Sequence, residues 1–167
     1  MLIIKAPDDI MEREAVSTTV FLAGSIGLGK AENWQDGACN ALDDYSDDEL
    51  TVFNPRRDNF NAGLKQTAEE PELVEQIEWE LEAMEESDYI LMYFHPDTQA
   101  PITMMELGLH ADSICKVVAV CPDGFWRQGN VEIVCRKYDI PFFKDLDEGI
   151  NQIRGYINYD NGICNRR

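Results

Sequence analysis

The sequence predicts a doubly wound α/β sandwich with a parallel sheet of roughly five strands. Apolar runs alternate with amphipathic, helix-like segments along the 167 residues, and strands separated by helices form βαβ units with a mainly parallel sheet. The runs are apolar at successive positions, as expected when helices cover both faces of a sheet. No linker, internal repeat or low-complexity tract interrupts the chain, so we expect residues 1–167 to form one domain.

Five apolar runs supply the predicted strands, and several of them end at a glycine or a proline. A shorter run at residues 1–5 could add an edge strand. Five such units make a flavodoxin-like sandwich. The five strands are predicted at residues 18–23, 50–53, 89–94, 116–121 and 140–143.

The helix-like segments follow these strands in order. Pro71 stands at the start of the longest one, where proline is tolerated because its missing N–H has no helical partner. A polar loop is expected at residues 56–69, and the tail from 159 to 167 is expected to be loose. The helices are predicted at residues 32–45, 70–86, 102–111, 131–137 and 145–157.

Composition restricts the possible functions. Apolar residues make up 44% of the chain, which is typical of a globular protein. No apolar run reaches the roughly 20 residues of a membrane-spanning helix, and the N-terminus lacks the pattern of a signal peptide, so we expect a cytoplasmic protein without a membrane partner. The net charge is −18, which argues against nucleic-acid binding because that affinity depends on basic residues.

Metal ions and cofactors are not indicated by the sequence. The five cysteines include no CxxC pair, and Cys115, Cys121 and Cys135 stand in apolar surroundings, which favours buried, unreactive thiols. His95 and His110 are too few and too scattered to predict a metal site. We therefore expect no cofactor.

Loops at the carboxyl ends of parallel strands are where ligands bind in such sheets. The segment GSIGLGK begins at Gly24, and its glycines could let the backbone approach an anion. An ordinary glycine-rich turn explains it equally well, because it matches no phosphate-loop pattern. Asn54, Arg56 and Arg57 follow the second strand; the arginines could meet a phosphate, although pairing with surface acids is the simpler interpretation.

Two glutamates stand among apolar residues of predicted helices. Glu80 falls within a stripe on the helical wheel, where a lone carboxylate is costly without partners, unless it lies at the edge and reaches water. Glu106 is the only acid in ITMMELGLHA; a desolvated carboxylate there could attack a sugar carbon, or it could close a capping box with Thr103. The predicted stripe consists of Leu73, Val74, Ile77, Leu81 and Met84.

The loop after the fourth strand, PDGFWRQGN, offers Trp126 and Phe125 for stacking on a flat base and Asn130 for a polar contact. Packing inside the protein is the commoner role for such a pair of aromatic residues. No GxSxG motif or Ser-His-Asp arrangement is present.

Together these segments resemble the nucleoside 2-deoxyribosyltransferase-like domain family. The resemblance covers residues 20–142 and implies a flavodoxin-like fold. It also implies a small nucleoside or nucleotide and a free base as ligands, with either base exchange or hydrolysis at the N-glycosidic bond. It rests on FLAGSI, WQ, NPRR, QIEWELEAMEESDYILMYF, PITMMELGLHA and CPDGFWRQGNVEIV.

The resemblance also implies roles for individual residues. Glu106 would be the nucleophile, as in a retaining glycosidase, and Glu80 would protonate the leaving base, at a position where the transferases carry aspartate. Asn130 would act from a neighbouring subunit, which predicts a homo-oligomer, and Asp97 would be a further carboxylate. Substrate contacts are expected at Gly24, Ser25, Ile26, Asn54, Arg56 and Trp126. A nucleotide N-glycosidase and a non-catalytic nucleotide-binding module stay open as alternatives.

Overall fold

A computed structural model describes residues 1–24, 33–57 and 63–164 of the chain. Its sheet has six strands, all parallel, in the order β1-β3-β2-β4-β5-β6. The predicted doubly wound α/β fold is confirmed, with six strands instead of roughly five because the N-terminal run pairs with β3. The strands are β1 Leu2–Lys5, β2 Thr18–Gly24, β3 Leu50–Asn54, β4 Tyr89–Tyr93, β5 Val117–Val120 and β6 Phe142–Phe143.

Helices cover both faces of this sheet. Helices α2, α3 and α4 bury Trp79, Leu107 and Val131 in the core on one face, while α1 and α5 bury Trp34 and Ile153 on the other. A 3-10 turn precedes β2. The bounds are Ile10–Glu12 for the turn, α1 Trp34–Ala41, α2 Pro71–Glu86, α3 Pro101–His110, α4 Gln128–Lys137 and α5 Leu146–Cys164.

The central strands divide their apolar side chains between the two cores. In β4, Ile90 and Met92 belong to the core under α2, α3 and α4, whereas Leu91 belongs to the core under α1 and α5. Successive side chains of a strand point to opposite faces, so a continuous apolar run is needed to fill both cores. This requirement explains why the strands were recognisable in the sequence.

The helix ends differ from prediction in places. Helix α1 begins later than predicted, because the Asn33 side chain caps it by accepting a hydrogen bond from the Asp36 backbone N–H at 3.3 Å. Helix α5 continues to Cys164, so the tail is helical up to that point and not loose as expected from residue 159. The Tyr89 hydroxyl anchors the extension by donating a hydrogen bond to Asp160 at 2.8 Å. Among the cysteines, Cys115 is exposed, contrary to expectation.

The strand order reverses direction between β2 and β4. Strand β3 lies on one side of β2, and the chain then crosses over to form β4 on the other side. Gly24 pairs with Tyr93 at the carboxyl ends of these two strands. Such a switch point opens a crevice at which open α/β sheets bind their ligands. Within the described residues, no helix is both long and apolar enough to cross a membrane.

Candidate active site

The candidate site contains two glutamates from neighbouring helices on one face of the sheet. Glu80 lies on α2 and Glu106 on α3. Both helices pack on the same core, and the negative charge of Glu80 raises the pKa of Glu106. The structure therefore brings together the two carboxyl groups that stood out in the sequence.

Glu106 is buried inside α3, with only 6% of its surface exposed. The helix is capped at Ala100, which has φ 44° and ψ 48° and makes no side-chain cap. Pro101 is the first helical residue, so Glu106 is the sixth and lies too far along to close a capping box with Thr103. The capping-box interpretation was wrong, and the carboxylate has no helix-end role.

Burial governs the charge of Glu106. Desolvation, followed by repulsion from Glu80, raises the pKa of Glu106 from 4.5 to about 7. A buried carboxyl group loses the water that stabilises its ionised form, and a like charge nearby adds to the cost. Glu106 therefore has a pKa close to neutral pH, which suits a group that must change its bonding during a reaction.

Glu80 occupies the border of the buried face of α2. Burial raises its pKa, while a hydrogen bond from Gln76 and the positive charge of Arg57 act in the opposite direction. The amide Nε2 of Gln76 donates to Glu80 Oε1 at 2.7 Å. Among the described residues the carboxylate of Glu80 thus has one hydrogen-bond donor, and the positive charge of Arg57 partly offsets its negative charge.

The predicted apolar stripe of α2 was rotated from its true position. Ile77 and Leu81 are 44% and 38% exposed, whereas Gln76 and Trp79 are buried. The Trp79 indole N–H donates to the Asp8 carbonyl at 2.8 Å, so this tryptophan can be buried with its polar atom satisfied. Counting only aliphatic residues placed Glu80 inside the stripe, but the structure places it at the border.

Unsatisfied hydrogen-bond donors collect at the end of β3. Asn54 is buried, and its Oδ1 accepts a hydrogen bond from the Arg56 backbone N–H at 3.0 Å. Asn54 Nδ2, Arg56 Nη1 and Arg57 Nε are buried without a partner among the described residues. Arg57 also forms an ion pair with Glu75 through Nη2 at 2.9 Å. For Arg57, this agrees with the simpler interpretation of the two arginines, which was pairing with surface acids. Three buried donors in four residues favour an acceptor-rich or anionic ligand.

Gly24 ends β2 where three elements meet. A Cβ atom at this position would lie 2.6 Å from the Tyr93 carbonyl oxygen and 2.7 Å from the Trp34 ring, so no larger residue fits. Both side-chain amide atoms of Gln35 are buried and lack a partner in the described part of the chain. Ser25 and Ile26, which the sequence analysis placed against the sugar or phosphate, lie outside the described residues.

The remaining candidates follow strands β4 and β5. Trp126 is 54% exposed, its indole N–H donates to the Gln99 carbonyl at 3.0 Å, and Arg127 stacks on its ring at 4.4 Å. Asp97 and Asn130 are exposed. No hydrogen bond joins these three to either glutamate in the described part of the chain. Phe125 is buried with its ring centroid 5.4 Å from that of Phe94, so it packs inside the protein and cannot stack on a base.

Sequence reasoning missed Gln76 and Gln35 as parts of this region. Gln76 precedes Glu80 by one helical turn, and side chains four residues apart meet on a helix, so the spacing alone contained the signal. Gln35 stood in the WQ motif of the family resemblance, but no role was assigned to it because its burial depends on packing against the sheet. Within the described residues, no group of three or more His, Cys, Asp or Glu side chains could hold a metal ion.

A buried carboxyl group, Glu106, and a half-buried one, Glu80, thus lie on neighbouring helices over one face of the sheet, and both have raised pKa values. The family described as "Nucleoside 2-deoxyribosyltransferase like" matches residues 17–125 by its sequence profile. This match covers more than half of the chain and includes both glutamates, and the chain belongs to that family.

A solved structure supports the fold independently of sequence. The crystal structure of a conserved protein from Enterococcus faecalis V583 superposes with a TM-score of 0.61, at 10% sequence identity. The similarity covers 84% of this chain and 99% of that chain. No curated protein sequence matches the chain.

Proposed function

We propose that this protein transfers the sugar of a nucleoside, most simply a 2-deoxynucleoside, from one base to another through a covalent bond to Glu106. The observation that carries the proposal is the interacting pair of carboxyl groups formed by the buried Glu106 and the half-buried Glu80. Burial, then repulsion from Glu80, raises the pKa of Glu106 to about 7, so this carboxyl group is partly protonated at neutral pH. The reactive form has Glu106 ionised and Glu80 protonated.

In the first half of the reaction, a carboxylate oxygen of Glu106 attacks the anomeric carbon and forms an ester. The bond from that carbon to the base nitrogen breaks, and its electron pair goes to the base. Glu80 donates its proton to the leaving base and becomes a carboxylate. Desolvation by the surrounding core raises the free energy of the Glu106 carboxylate and makes it a better nucleophile.

In the second half, a nitrogen of another base attacks the anomeric carbon from the side opposite the ester bond to Glu106. The ester bond breaks, Glu106 leaves as a carboxylate, and Glu80 takes the proton that the incoming nitrogen loses. Two displacements retain the configuration of the sugar. The chemistry needs neither a metal nor an organic cofactor.

Residues at and beyond the carboxyl ends of the strands would bind the substrate. The backbone at Gly24, at the carboxyl end of β2, would contact the sugar, while the exposed surface of Trp126 would stack on the base. Asn54 and Arg56 provide donors for hydroxyl or phosphate oxygens. Asp97 is exposed in the loop after β4 and would accept a hydrogen bond from a sugar hydroxyl.

A nucleotide N-glycosidase is the second candidate. The unsatisfied donors of Asn54, Arg56 and Arg57 favour it, because a 5′-phosphate would supply three strong acceptor oxygens and a compensating charge. Water would then replace the incoming base in the second displacement. Arg56→Ala should reduce kcat/KM for monophosphates by roughly tenfold or more and leave that for nucleosides nearly unchanged. Equal activity of the unaltered protein on both substrates would count against this candidate.

The primary test is a panel of deoxynucleosides and their monophosphates, incubated with and without a second free base and analysed by chromatography. New nucleosides that are absent with Glu106→Gln would support the transferase, and free base with free sugar would support the hydrolase. Glu82→Gln, an exposed change on α2, is the control for loss of one charge. If no substrate is turned over and ligands bind tightly, the protein is a nucleotide-binding module.

We also propose that the protein is a homo-oligomer. Ile102, Met105 and Leu109 form an uncharged stripe on α3, each more than half exposed, directly beside the helix face that carries Glu106. Such a stripe is uncommon on a monomer with net charge −18. Light scattering should give a mass above that of one chain, and a monomer at working concentration would refute the proposal. Asn130→Ala in mixed oligomers would test whether Asn130 acts across the interface.

A further inference from the structure

Gln76 makes contacts that tie the acid of the site to the end of β3. Its amide nitrogen Nε2 donates to Glu80 Oε1 at 2.7 Å and to the Pro55 carbonyl oxygen at 2.9 Å. The side chain is buried. A primary amide has two N–H groups, so these two bonds use its whole donor capacity.

The Pro55 carbonyl determines which end of the amide faces Glu80. A carbonyl oxygen only accepts hydrogen bonds, so turning the amide over would set the Gln76 oxygen against the Pro55 oxygen. The amide is therefore held with its nitrogen between the two acceptors. As a result Gln76 offers Glu80 a donor, which favours a carboxylate over a neutral carboxyl group.

We infer that Gln76 is a positioning residue for the proton transfer, holding Glu80 Oε1 in place and stabilising the carboxylate that forms when Glu80 releases its proton. The inference rests on the proposed function for the identity of that step. Since the bond is strongest to the charged form, it stabilises the state after proton release more than the state before it. It therefore promotes protonation of the leaving base and not merely the binding of substrate.

The other charged groups that act on Glu80 are Arg57, from the segment after β3, and Glu106, from α3. Arg57 favours the Glu80 carboxylate and Glu106 opposes it. Neither of them contacts the Oε1 atom through a hydrogen bond in the described part of the chain. Gln76 therefore has a separable effect, which a substitution can isolate.

Gln76→Met is the appropriate variant, because methionine matches glutamine in length and removes both N–H donors. The carboxyl carbons of Glu80 and Glu106 would be followed by 13C NMR as a function of pH and assigned from Glu80→Gln and Glu106→Gln. We expect the pKa of Glu80 to rise, because its carboxylate loses a donor. We expect the pKa of Glu106 not to rise, because Gln76 makes no hydrogen bond to Glu106 among the described residues.

A rise in the pKa of Glu80 distinguishes this role from a structural one. If the substitution only loosened the core, water would enter and lower both pKa values towards their ordinary range. An unchanged or lowered pKa of Glu80 would overturn the inference. Gln152→Met, on α5 at the other face of the sheet, is the control for the substitution itself, and Gln76→Asn, which is one methylene too short to reach both acceptors, replaces Gln76→Met if that variant fails to fold.

Kinetics supply the second measurement. With a nucleoside that the unaltered protein cleaves, Gln76→Met should lower kcat by roughly tenfold and change KM little. A rise in KM alone would overturn the inference. The titration needs no turnover, so it tests the bond between Gln76 and Glu80 even if no nucleoside is cleaved, whereas absence of turnover in the unaltered protein refutes the proposed function.

Discussion

Replacing Glu106 by glutamine should make the protein more stable above neutral pH. Burial, then repulsion from Glu80, raises the Glu106 pKa from 4.5 to about 7, so between these pH values the folded state binds more protons than the unfolded state. By linkage, the free energy of unfolding then falls as pH rises. At about 1.4 kcal/mol for each tenfold change in proton concentration, the loss between pH 5 and pH 8 is about 2–3 kcal/mol.

Glutamine has nearly the same shape and cannot ionise, so Glu106→Gln should escape this loss. Urea unfolding at pH 5, 6, 7 and 8 would give the difference in the free energy of unfolding between variant and unaltered protein. That difference should increase in favour of the variant by about 2–3 kcal/mol across the range. Glu82→Gln controls for lowering the net charge. A difference that stays constant with pH would refute the reasoning.

Three further substitutions test the geometry around the site. Gly24→Ala should lower the melting temperature and the activity together, because its methyl group would lie 2.6 Å from the Tyr93 carbonyl oxygen. Phe125→Ala should cost about 3–5 kcal/mol in urea unfolding, since its ring is buried against Phe94; a cost below about 1 kcal/mol would contradict this packing. Ala100→Gly should change the free energy of unfolding by less than about 1 kcal/mol, because relief of the left-handed backbone at φ 44° is offset by loss of a buried methyl group; a loss above about 2 kcal/mol would contradict this balance.

The sheet could be predicted from the sequence because its strands are filled on both sides. A strand such as β4 must supply apolar residues to two cores, and this requirement leaves a continuous run that no amphipathic helix shows. Helix boundaries were less predictable. The extension of α5 depends on a hydrogen bond from Tyr89 to Asp160, two residues far apart in sequence, and no local pattern encodes such a contact.

The two glutamates could be singled out because each departs from the apolar character of its surroundings. Their proximity could not be derived from local patterns, since it depends on how α2 and α3 pack on the sheet. The orientation of α2 was also wrong, because Trp79 and Gln76 are buried through specific hydrogen bonds. A wheel drawn from hydrophobicity assigns such residues to the surface or leaves them out.

The topology itself explains why these two carboxyl groups meet. Strand β2 lies between β3 and β4, so the crossover that follows β3 must carry α2 over β2, beside the helix that follows β4. Glu80 and Glu106 thus lie on neighbouring helices over the same face of the sheet, although 26 positions separate them in the sequence. Desolvation disfavours the charged form of both glutamates, and the apolar strands beneath them offset that cost. In the proposed mechanism the same desolvation makes the Glu106 carboxylate a better nucleophile, so stability would be exchanged for reactivity.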